Sequence, residues 1–275
     1  MTFEQLRSKK ENEMPSENEK YYKVLMNGKS FHGGSLEWSL PKGDKPGEWH
    51  EVKGVLSLCD NGLHITKTPI VWWEDGAECF EVEWAGDKIG DDNKAVVRKC
   101  RLVRMLTDED LCKLGIFRSG SHEVKSGTVA ASGSAIVRAS DSAIVAAYGS
   151  AIVKAYGSAL VKAYGSASVT AYSSAIVRAH DSVSVTAHDF TSVRAYDSVS
   201  VTAYGFASVI ASGSVIVRAY DSTIVRAYGS TSVRARSHST VNTYLAEPNV
   251  ETEGHAVHID RSVFPPVIRT GWTKS

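Results

Sequence analysis

The sequence predicts a mostly β protein in which a small globular β-rich (α+β) domain is followed by a two-sheet parallel β-solenoid. Three observations predict this fold class. An eight-residue repeat fills residues 126–245. Valine stands at the fourth position of all fifteen octads, and alanine stands at the sixth position of fourteen. Alternating apolar runs separated by glycine-rich turns fill residues 21–117, as is typical of a strand-rich domain.

The first two segments differ in composition. Residues 1–20 are rich in charge and poor in large apolar side chains, so they cannot offset the entropy of ordering, and we predict a flexible arm. Residues 21–117 form the predicted globular domain. It contains one predicted short helix, over 107–114, where Thr107 is a suitable N-cap and acidic residues fill the first turn.

Strand alternation assigns the faces of the octad repeat, which is predicted to form a solenoid over residues 118–245. Side chains on a strand point to opposite sides in turn. Positions two, four and six are predicted to point inward, because lysine and arginine recur at position five and cannot be buried unpaired in a thin core. Glycine or aspartate at position eight, followed by serine at position one, predicts a tight corner.

Matching side chains sixteen residues apart predict two octads per coil. Phe190 and Phe206 have this spacing, and so do Thr170, Thr186 and Thr202. Identical side chains favour stacking on successive rungs, and a coil of three octads would stack none of them. We therefore predict about sixteen residues per coil and seven to eight coils.

The repeat breaks after Leu245, and residues 246–275 are predicted to cap the solenoid. The segment contains Pro248, Pro265 and Pro266, which are unsuited to further rungs. A cap protects the last rung from edge-to-edge aggregation. His255 and His258 have ligand spacing for a helix, but on a strand they would face opposite sides, so no metal site is predicted.

Composition excludes several classes of function. The 31 Lys and Arg residues balance 31 Asp and Glu residues, so net charge selects neither nucleic acid nor membrane. Residues 126–245 are mildly basic, with nine Lys and Arg against five Asp. No signal-peptide pattern or eighteen-residue apolar run is present, so we expect neither secretion nor a membrane span. The four cysteines lack CxxC spacing, which predicts free thiols in a reducing cytosol and no structural zinc.

The octad resembles the heads of trimeric autotransporter adhesins, in which short repeats build a β-roll that trimerises. The resemblance covers only the repeat. It implies a β-roll and self-association, but adhesion is not expected, because we expect no export signal, coiled-coil stalk or membrane anchor.

The first domain resembles an uncharacterised domain family of bacteriophages and prophages. The signature covers about residues 21–105. Its residues are His32, Gly33, Gly34, Trp38, Leu40, Pro41, Pro46, Gly47, Trp49, Cys59, Gly62, Leu63, His64, Pro69, Trp72, Trp73, Glu81, Glu83, Lys94 and Arg101 through Arg104. The resemblance implies phage origin, and hence a location in the cytoplasm of the infected cell or in the virion. It implies no particular activity.

One alternative is enzymatic. FHGGS at residues 31–35, GLHIT at 62–66 and EVE at 81–83 resemble, in that order, the motifs of ADP-ribosyltransferase-like folds. The resemblance implies a catalytic set of His32, His64 and Glu83, with the glutamate orienting a ribose hydroxyl of NAD. The alternative interpretation makes the two histidines turn or core residues and Glu83 a surface strand residue. No cofactor is part of the main prediction.

The outward surface of the predicted solenoid carries cations and aromatic rings. The position-five cations are expected to form stripes on both faces of the solenoid. They could bind phosphates or an acidic partner, or could serve only solubility and the suppression of edge pairing. They are Arg138, Lys154, Lys162, Arg178, Arg194, Arg218, Arg226 and Arg234. The position-seven rings could stack bases or sugars, or could only stabilise the corners. They are Tyr148, Tyr156, Tyr164, Tyr172, Tyr196, Tyr204, Tyr220 and Tyr228, with His180 and His188.

Position three predicts an interaction surface. The side chains Ile136, Ile144, Ile152, Leu160 and Ile176 point outward and are expected to form one contiguous apolar patch. Such a patch is larger than a monomer normally exposes. We therefore predict a phage-type scaffold or binding protein that self-associates or binds a host or phage protein. The alternatives are the NAD-using transferase and nucleic-acid binding along the basic, tyrosine-lined solenoid; no membrane partner is expected.

Overall fold

The structure, a computed structural model, describes residues 20–30, 36–58, 60–244 and 249–271. The chain divides into two compact units, Met1–Leu114 and Gly115–Ser275. Almost all of the predicted arm lies outside the described residues, as do His32 and Cys59.

The first unit contains a five-stranded antiparallel sheet. Its strands are β1 (Tyr21–Leu25), β2 (His50–Glu51), β3 (Leu63–Ile65), β4 (Glu78–Gly90) and β5 (Ala95–Met105). The order is β1-β4-β5-β2, and β3 also pairs with β5. One face of the sheet buries an apolar cluster that includes Tyr21, Phe80 and Leu102. A short 3-10 helix, Pro69–Trp72, begins with proline, which has no amide hydrogen to leave unpaired there.

The predicted helix is present as α1 (Asp108–Lys113). Its N-terminus is closed by a capping box. The Thr107 hydroxyl accepts a hydrogen bond from the Asp110 amide at 3.2 Å, and the Asp110 carboxylate accepts one from the Thr107 amide at 3.1 Å. The Arg104 guanidinium also donates to this carboxylate at 2.6 Å and is the main reason that the pKa of Asp110 lies well below its usual range.

The second unit is a β-solenoid made of two sheets. The long sheet has eleven strands, β6 (Ile116–Phe117), β8 (Thr128–Ala131), β10 (Ile144–Ala147), β12 (Leu160–Ala163), β14 (Ile176–Ala179), β16 (Ser192–Ala195), β18 (Ser208–Ser212), β20 (Ile224–Tyr228), β22 (Thr240–Thr243), β24 (Val257–Asp260) and β25 (Val267–Thr270). The short sheet has nine strands, β7 (Ser121–Val124), β9 (Ile136–Ala139), β11 (Ile152–Ala155), β13 (Ser168–Ala171), β15 (Ser184–Ala187), β17 (Ser200–Ala203), β19 (Ile216–Ala219), β21 (Ser232–Ala235) and β23 (Asn249–Thr252).

The predicted coil of two octads is confirmed. Within each sheet, parallel strands pair residues sixteen apart along the repeat, as in Arg178 with Arg194 and Thr186 with Thr202. The solenoid has about nine turns rather than the seven to eight predicted. Parallel rungs continue beyond the repeat at both ends, where β7 pairs with β9 and β24 pairs with β22.

The interior contains mainly valine and alanine, as alternation predicts. On β14, Val177 and Ala179 are fully buried, while Ile176 and Arg178 are exposed. Where threonine replaces alanine at position two, its hydroxyl donates to a carbonyl oxygen at the corner, as from Thr231 to Tyr228 at 2.7 Å. The buried hydroxyl therefore keeps a hydrogen-bond partner.

Left-handed backbone at position eight makes the corners. In all fourteen octads whose eighth residue is described, φ at that residue lies between 52° and 96°. Glycine adopts this region freely, and aspartate tolerates it better than most residues. Aspartates there also bond the preceding coil. The carboxylate of Asp181 accepts from the Gly165 amide at 2.9 Å, and that of Asp189 accepts from the Ser173 amide at 2.9 Å.

After the repeat, the chain adds rungs before it reverses. His258 of β24 occupies the register position of the inward valine Val241, and its ring nitrogen lies 2.9 Å from the buried Thr243 hydroxyl. His255 is exposed and its ring stacks on that of His238. His255 lies in the turn before β24 and His258 lies on the strand, so the two rings have different surroundings, although they do not share one strand as expected. The last strand, β25, pairs antiparallel with β24.

Candidate functional site

The structure does not bring His64 and Glu83 together. His64 on β3 lies opposite Val96 of β5, and Glu83 on β4 lies opposite Arg101 of the same strand. Five residues along a strand separate these positions by about 16 Å. His32, the third member of the predicted catalytic set, falls in a segment that the structure does not describe.

Both side chains also have structural partners. A ring nitrogen of His64 hydrogen-bonds with the carbonyl oxygen of Leu58, and partial burial lowers the pKa of this histidine. The Glu83 carboxylate forms an ion pair with Arg101 at 2.6 Å. The geometry thus matches the alternative interpretation, a structural histidine and a paired surface glutamate, and the transferase hypothesis remains only a prediction.

Lys23 is an unusual residue of the first unit that the sequence did not single out. It lies on β1 and is only 9% exposed. Its ammonium donates to the carbonyl oxygen of His64 at 3.0 Å and lies 5.2 Å from the ring centroid of Trp38. Burial lowers the pKa of Lys23 to about 8. A carbonyl and a ring face stabilise the cation, and no carboxylate among the described residues forms a salt bridge with it.

The predicted aromatic ladders are present along both corners of the solenoid. One contains Tyr148, Tyr164, His180 and Tyr196, with ring centroids 4.7 to 5.4 Å apart. The other contains Tyr156, Tyr172, His188, Tyr204 and Tyr220, with centroids 4.8 to 5.1 Å apart. Neighbouring rings are within 13° of parallel. Inside each ladder, both faces of a ring are therefore covered by other rings.

The expectation of one contiguous apolar patch is wrong. Successive octads lie on different sheets, so the five predicted residues form two columns. Ile144, Leu160 and Ile176 are in register on the long sheet. Ile136 and Ile152 are in register on the short sheet. The side chains of Ile144 and Ile176 are 39% and 40% exposed, so the column on the long sheet is an open surface.

The cations are divided between the sheets in the same way. The outward side of the long sheet, called the basic face below, carries Lys162, Arg178 and Arg194 on three consecutive rungs. Arg226 lies on the same face, two rungs further, because Ile210 intervenes. The outward side of the short sheet, called the mixed face below, carries the other position-five cations of the repeat. They are Arg138, Lys154, Arg218 and Arg234.

The central rungs of the mixed face contain hydroxyl groups instead of cations. Thr170, Thr186 and Thr202 stand in register there, on the same coils that carry the cations of the basic face. Arg234, near the end of the mixed face, is neutralised by Glu251 at 2.6 Å. By contrast, no acidic partner of Lys162, Arg178 or Arg194 is found in the part of the chain that the structure describes. The basic face therefore presents a column of three uncompensated charges.

No protein-family model, curated protein or solved structure gives a significant match to this chain. Across residues 20–30, 36–58, 60–244 and 249–271, no group of three or more His, Cys, Asp or Glu side chains is arranged to hold a metal ion. The same residues include no helix with the length and apolar character needed to cross a bilayer. The three described cysteines, Cys79, Cys100 and Cys112, are free thiols.

The sequence predicts cationic stripes on both faces, because the spacing of sixteen between Arg178 and Arg194, applied to every cation, separates the two faces. It does not predict which of these cations have an acidic partner. The neutralising Glu251 had no comparable signal, because it lies beyond the repeat and is seventeen residues from Arg234. The exposed pair Phe190 and Phe206 was used only to set the period, although the two rings are 66% and 62% exposed.

Proposed function

We propose that this protein is a non-catalytic binding scaffold, and that its solenoid engages an anionic partner through the basic face. One observation carries the proposal: Lys162, Arg178 and Arg194 stand on consecutive rungs without an acidic partner among the described residues. The rigid rungs fix the spacing of these charges at about 4.8 Å along the solenoid.

A column of like charges opposes folding. Two cations about 5 Å apart in water repel each other by up to about 1 kcal/mol, and like charges placed directly opposite each other destabilise a sheet. The mixed face avoids this repulsion on the same coils by using Thr170, Thr186 and Thr202. On the basic face, a bound anion would offset the repulsion between the cations.

Protection of sheet edges does not account for these cations. Charged residues blunt edge strands, but β12, β14 and β16 each pair with strands on both sides. Near the C-terminal end, where edge protection would matter, Arg234 and Arg236 are neutralised by Glu251 and Glu253. The uncompensated cations thus occupy the rungs where edge protection is least needed.

Fluorescence anisotropy with labelled poly-L-glutamate tests the proposal. In the test variant, Lys162→Thr, Arg178→Thr and Arg194→Thr give the long sheet the residue that the short sheet already has on these coils. We expect at least a tenfold rise in Kd, since three lost contacts of about 0.5 kcal/mol or more each sum to that change. The variant should unfold at the same urea concentration as the natural protein or a higher one.

The matched control moves the same charge change to the mixed face, with Arg138→Thr, Lys154→Thr and Arg218→Thr. Its Kd should rise by less than threefold. Equal rises in Kd for the two variants would show that binding depends on the net charge of the protein and not on the basic face. Absence of poly-L-glutamate binding by the natural protein at low salt would reject the proposal.

Self-association is a second candidate, and a different surface favours it. The turn between β24 and β25, together with β25 itself, exposes apolar side chains: Phe264 is 97% exposed and Ile268 is 65% exposed. The edge-strand position of β25 adds unpaired backbone groups. Sedimentation equilibrium of the natural protein and of the variant Phe264→Ser/Ile268→Thr tests it; a monomer in both samples would exclude it.

A further inference from the structure

We propose that the anionic partner is an acidic polypeptide segment with an apolar side, rather than a nucleic acid. This inference rests on the proposed function and names the class of ligand for the same face. The apolar side chains of the segment would lie on the column Ile144, Leu160 and Ile176, and its carboxylates would lie on the column Lys162, Arg178 and Arg194.

The two columns are parallel neighbours on one surface. Positions three and five of a strand point to the same side and are about 7 Å apart. The columns share the rungs β12 and β14, so Leu160 lies beside Lys162 and Ile176 beside Arg178. A ligand that covers both columns must therefore bring apolar groups and anionic groups side by side.

An α-helix that lies along the solenoid axis has a suitable repeat. Side chains three or four residues apart on a helix recur about every 5.4 Å, and the rungs recur about every 4.8 Å. Over the three rungs of each column, the mismatch accumulates to only about 1 Å. The two columns together span the four rungs from β10 to β16, so a helix with leucines on one stripe and glutamates on the adjacent stripe can engage both columns over about three of its turns.

Two exposed rings lengthen the apolar surface. Position three changes to serine at Ser192 and Ser208, where the column of Ile144, Leu160 and Ile176 ends. On these same rungs, position one holds Phe190 and Phe206, whose stacked rings are 66% and 62% exposed. The apolar character therefore continues along the corner that leads into the basic face.

The aromatic ladders disfavour a nucleic acid. Proteins that bind single strands offer free ring faces on which bases stack. Here His180 is stacked on Tyr164 at 5.3 Å and on Tyr196 at 4.7 Å, which leaves no room for a base between the rings. Only ring edges face the solvent inside the ladder. A nucleic acid would also leave the apolar column uncovered.

The test compares three fluorescein-labelled probes on the intact protein. The first is a fourteen-residue peptide designed as an amphipathic helix of leucine and glutamate, and the second is its scrambled isomer. The third is a single-stranded oligonucleotide of equal charge, which would bind through its phosphates. We expect the amphipathic peptide to bind at least tenfold tighter than either other probe.

Serine substitutions test the apolar column without disturbing the fold. The variant Ile144→Ser/Leu160→Ser/Ile176→Ser places at position three the residue that Ser192 and Ser208 already supply on the same sheet. It should remove most of the preference for the amphipathic peptide, whereas Ile136→Ser/Ile152→Ser/Ile216→Ser on the mixed face should leave the preference intact.

The outcomes separate this inference from the proposed function. Equal binding of the amphipathic and scrambled peptides, or tighter binding of the oligonucleotide, would overturn the inference while leaving an anion-binding face. Failure of all three probes, together with failure of poly-L-glutamate, would overturn both. Full retention of the preference by the serine variant of the basic face would also contradict the inference.

Discussion

Small inward side chains set the thickness of the solenoid. Valine at position four is buried on all fifteen rungs of the repeat and alanine at position six on fourteen of them, as Val185 and Ala187 show for β15. The sequence predicts this assignment, because period-two alternation leaves only one side free of cations. It does not predict that position-eight aspartates bond across coils, since that bond depends on the side-chain geometry of the corner.

Burial of Lys23 makes the stability of the first unit depend on pH. The pKa of Lys23 falls from its ordinary 10.5 to about 8 in the folded protein. Between these values the unfolded chain binds more protons than the folded chain, so stability rises with pH. Burial raises the pKa of Cys79 and Cys100 to about 12, which reduces stability above pH 9. Between pH 8 and pH 9, the effect of Lys23 on the free energy of unfolding can therefore be separated from the effect of the two cysteines.

Urea unfolding at pH 8 and pH 9 measures this contribution. Five of the six tryptophans lie in residues 38–84, so tryptophan fluorescence reports mainly on the first unit. We expect the natural protein to gain roughly 1 kcal/mol of unfolding free energy relative to Lys23→Met over this interval. The comparison with the variant cancels the titration of all other groups. Parallel pH dependences in the two proteins would contradict the lowered pKa.

Among the strands, the sixteen-residue period is the part of the fold that the sequence predicts best. Repeated pairs such as Phe190 and Phe206 report stacking directly, and the register confirms it. The sequence underestimates the number of turns, because β7, β23 and β24 lack the octad pattern. A buried His258 in a valine position carries no recognisable repeat signal.

Nitroxide labels test the period in solution. Labels at cysteines replacing Arg178 and Arg194 should lie on adjacent rungs about 5 Å apart and show strong broadening by continuous-wave electron paramagnetic resonance. Labels replacing Arg178 and Thr186 should lie on opposite faces, more than about 10 Å apart, and show little broadening. Cys59 and Cys112 are changed to serine in both proteins. Strong broadening for the Arg178 and Thr186 pair alone would mean that one coil does not contain sixteen residues.

For the protein as a whole, the fold is more predictable from the sequence than the function. Composition and repeat predict a β-rich unit followed by a solenoid, and both are observed. The candidate site needed the structure for two reasons. Alternation between sheets divides the apolar residues, and neutralisation of Arg234 depends on Glu251 outside the repeat. The order of the two motifs in the sequence did not predict that His64 and Glu83 pair with residues of β5 that are five positions apart.

Two deletions test whether the sixteen-residue coil aligns the cations of the basic face in one binding column. Removal of residues 182–189, one octad without Lys or Arg, moves every later octad to the other sheet and takes Arg194 off the basic face. Removal of residues 198–213, one whole coil without Lys or Arg, keeps Arg194 beside Arg178 and brings Arg226 next to it. A solenoid tolerates both changes, because each rung contacts only its neighbours.

The most direct measurement is the affinity of these two folded deletion variants for the amphipathic acidic peptide. We predict at least about a twofold loss for the eight-residue deletion, because it displaces only Arg194 from the column and one such contact is worth about 0.5 kcal/mol or more. The sixteen-residue deletion should have an affinity equal to or higher than that of the natural protein. Circular dichroism establishes that both retain their strands. Equal affinities in the two variants would contradict the claim that a sixteen-residue coil builds the binding site.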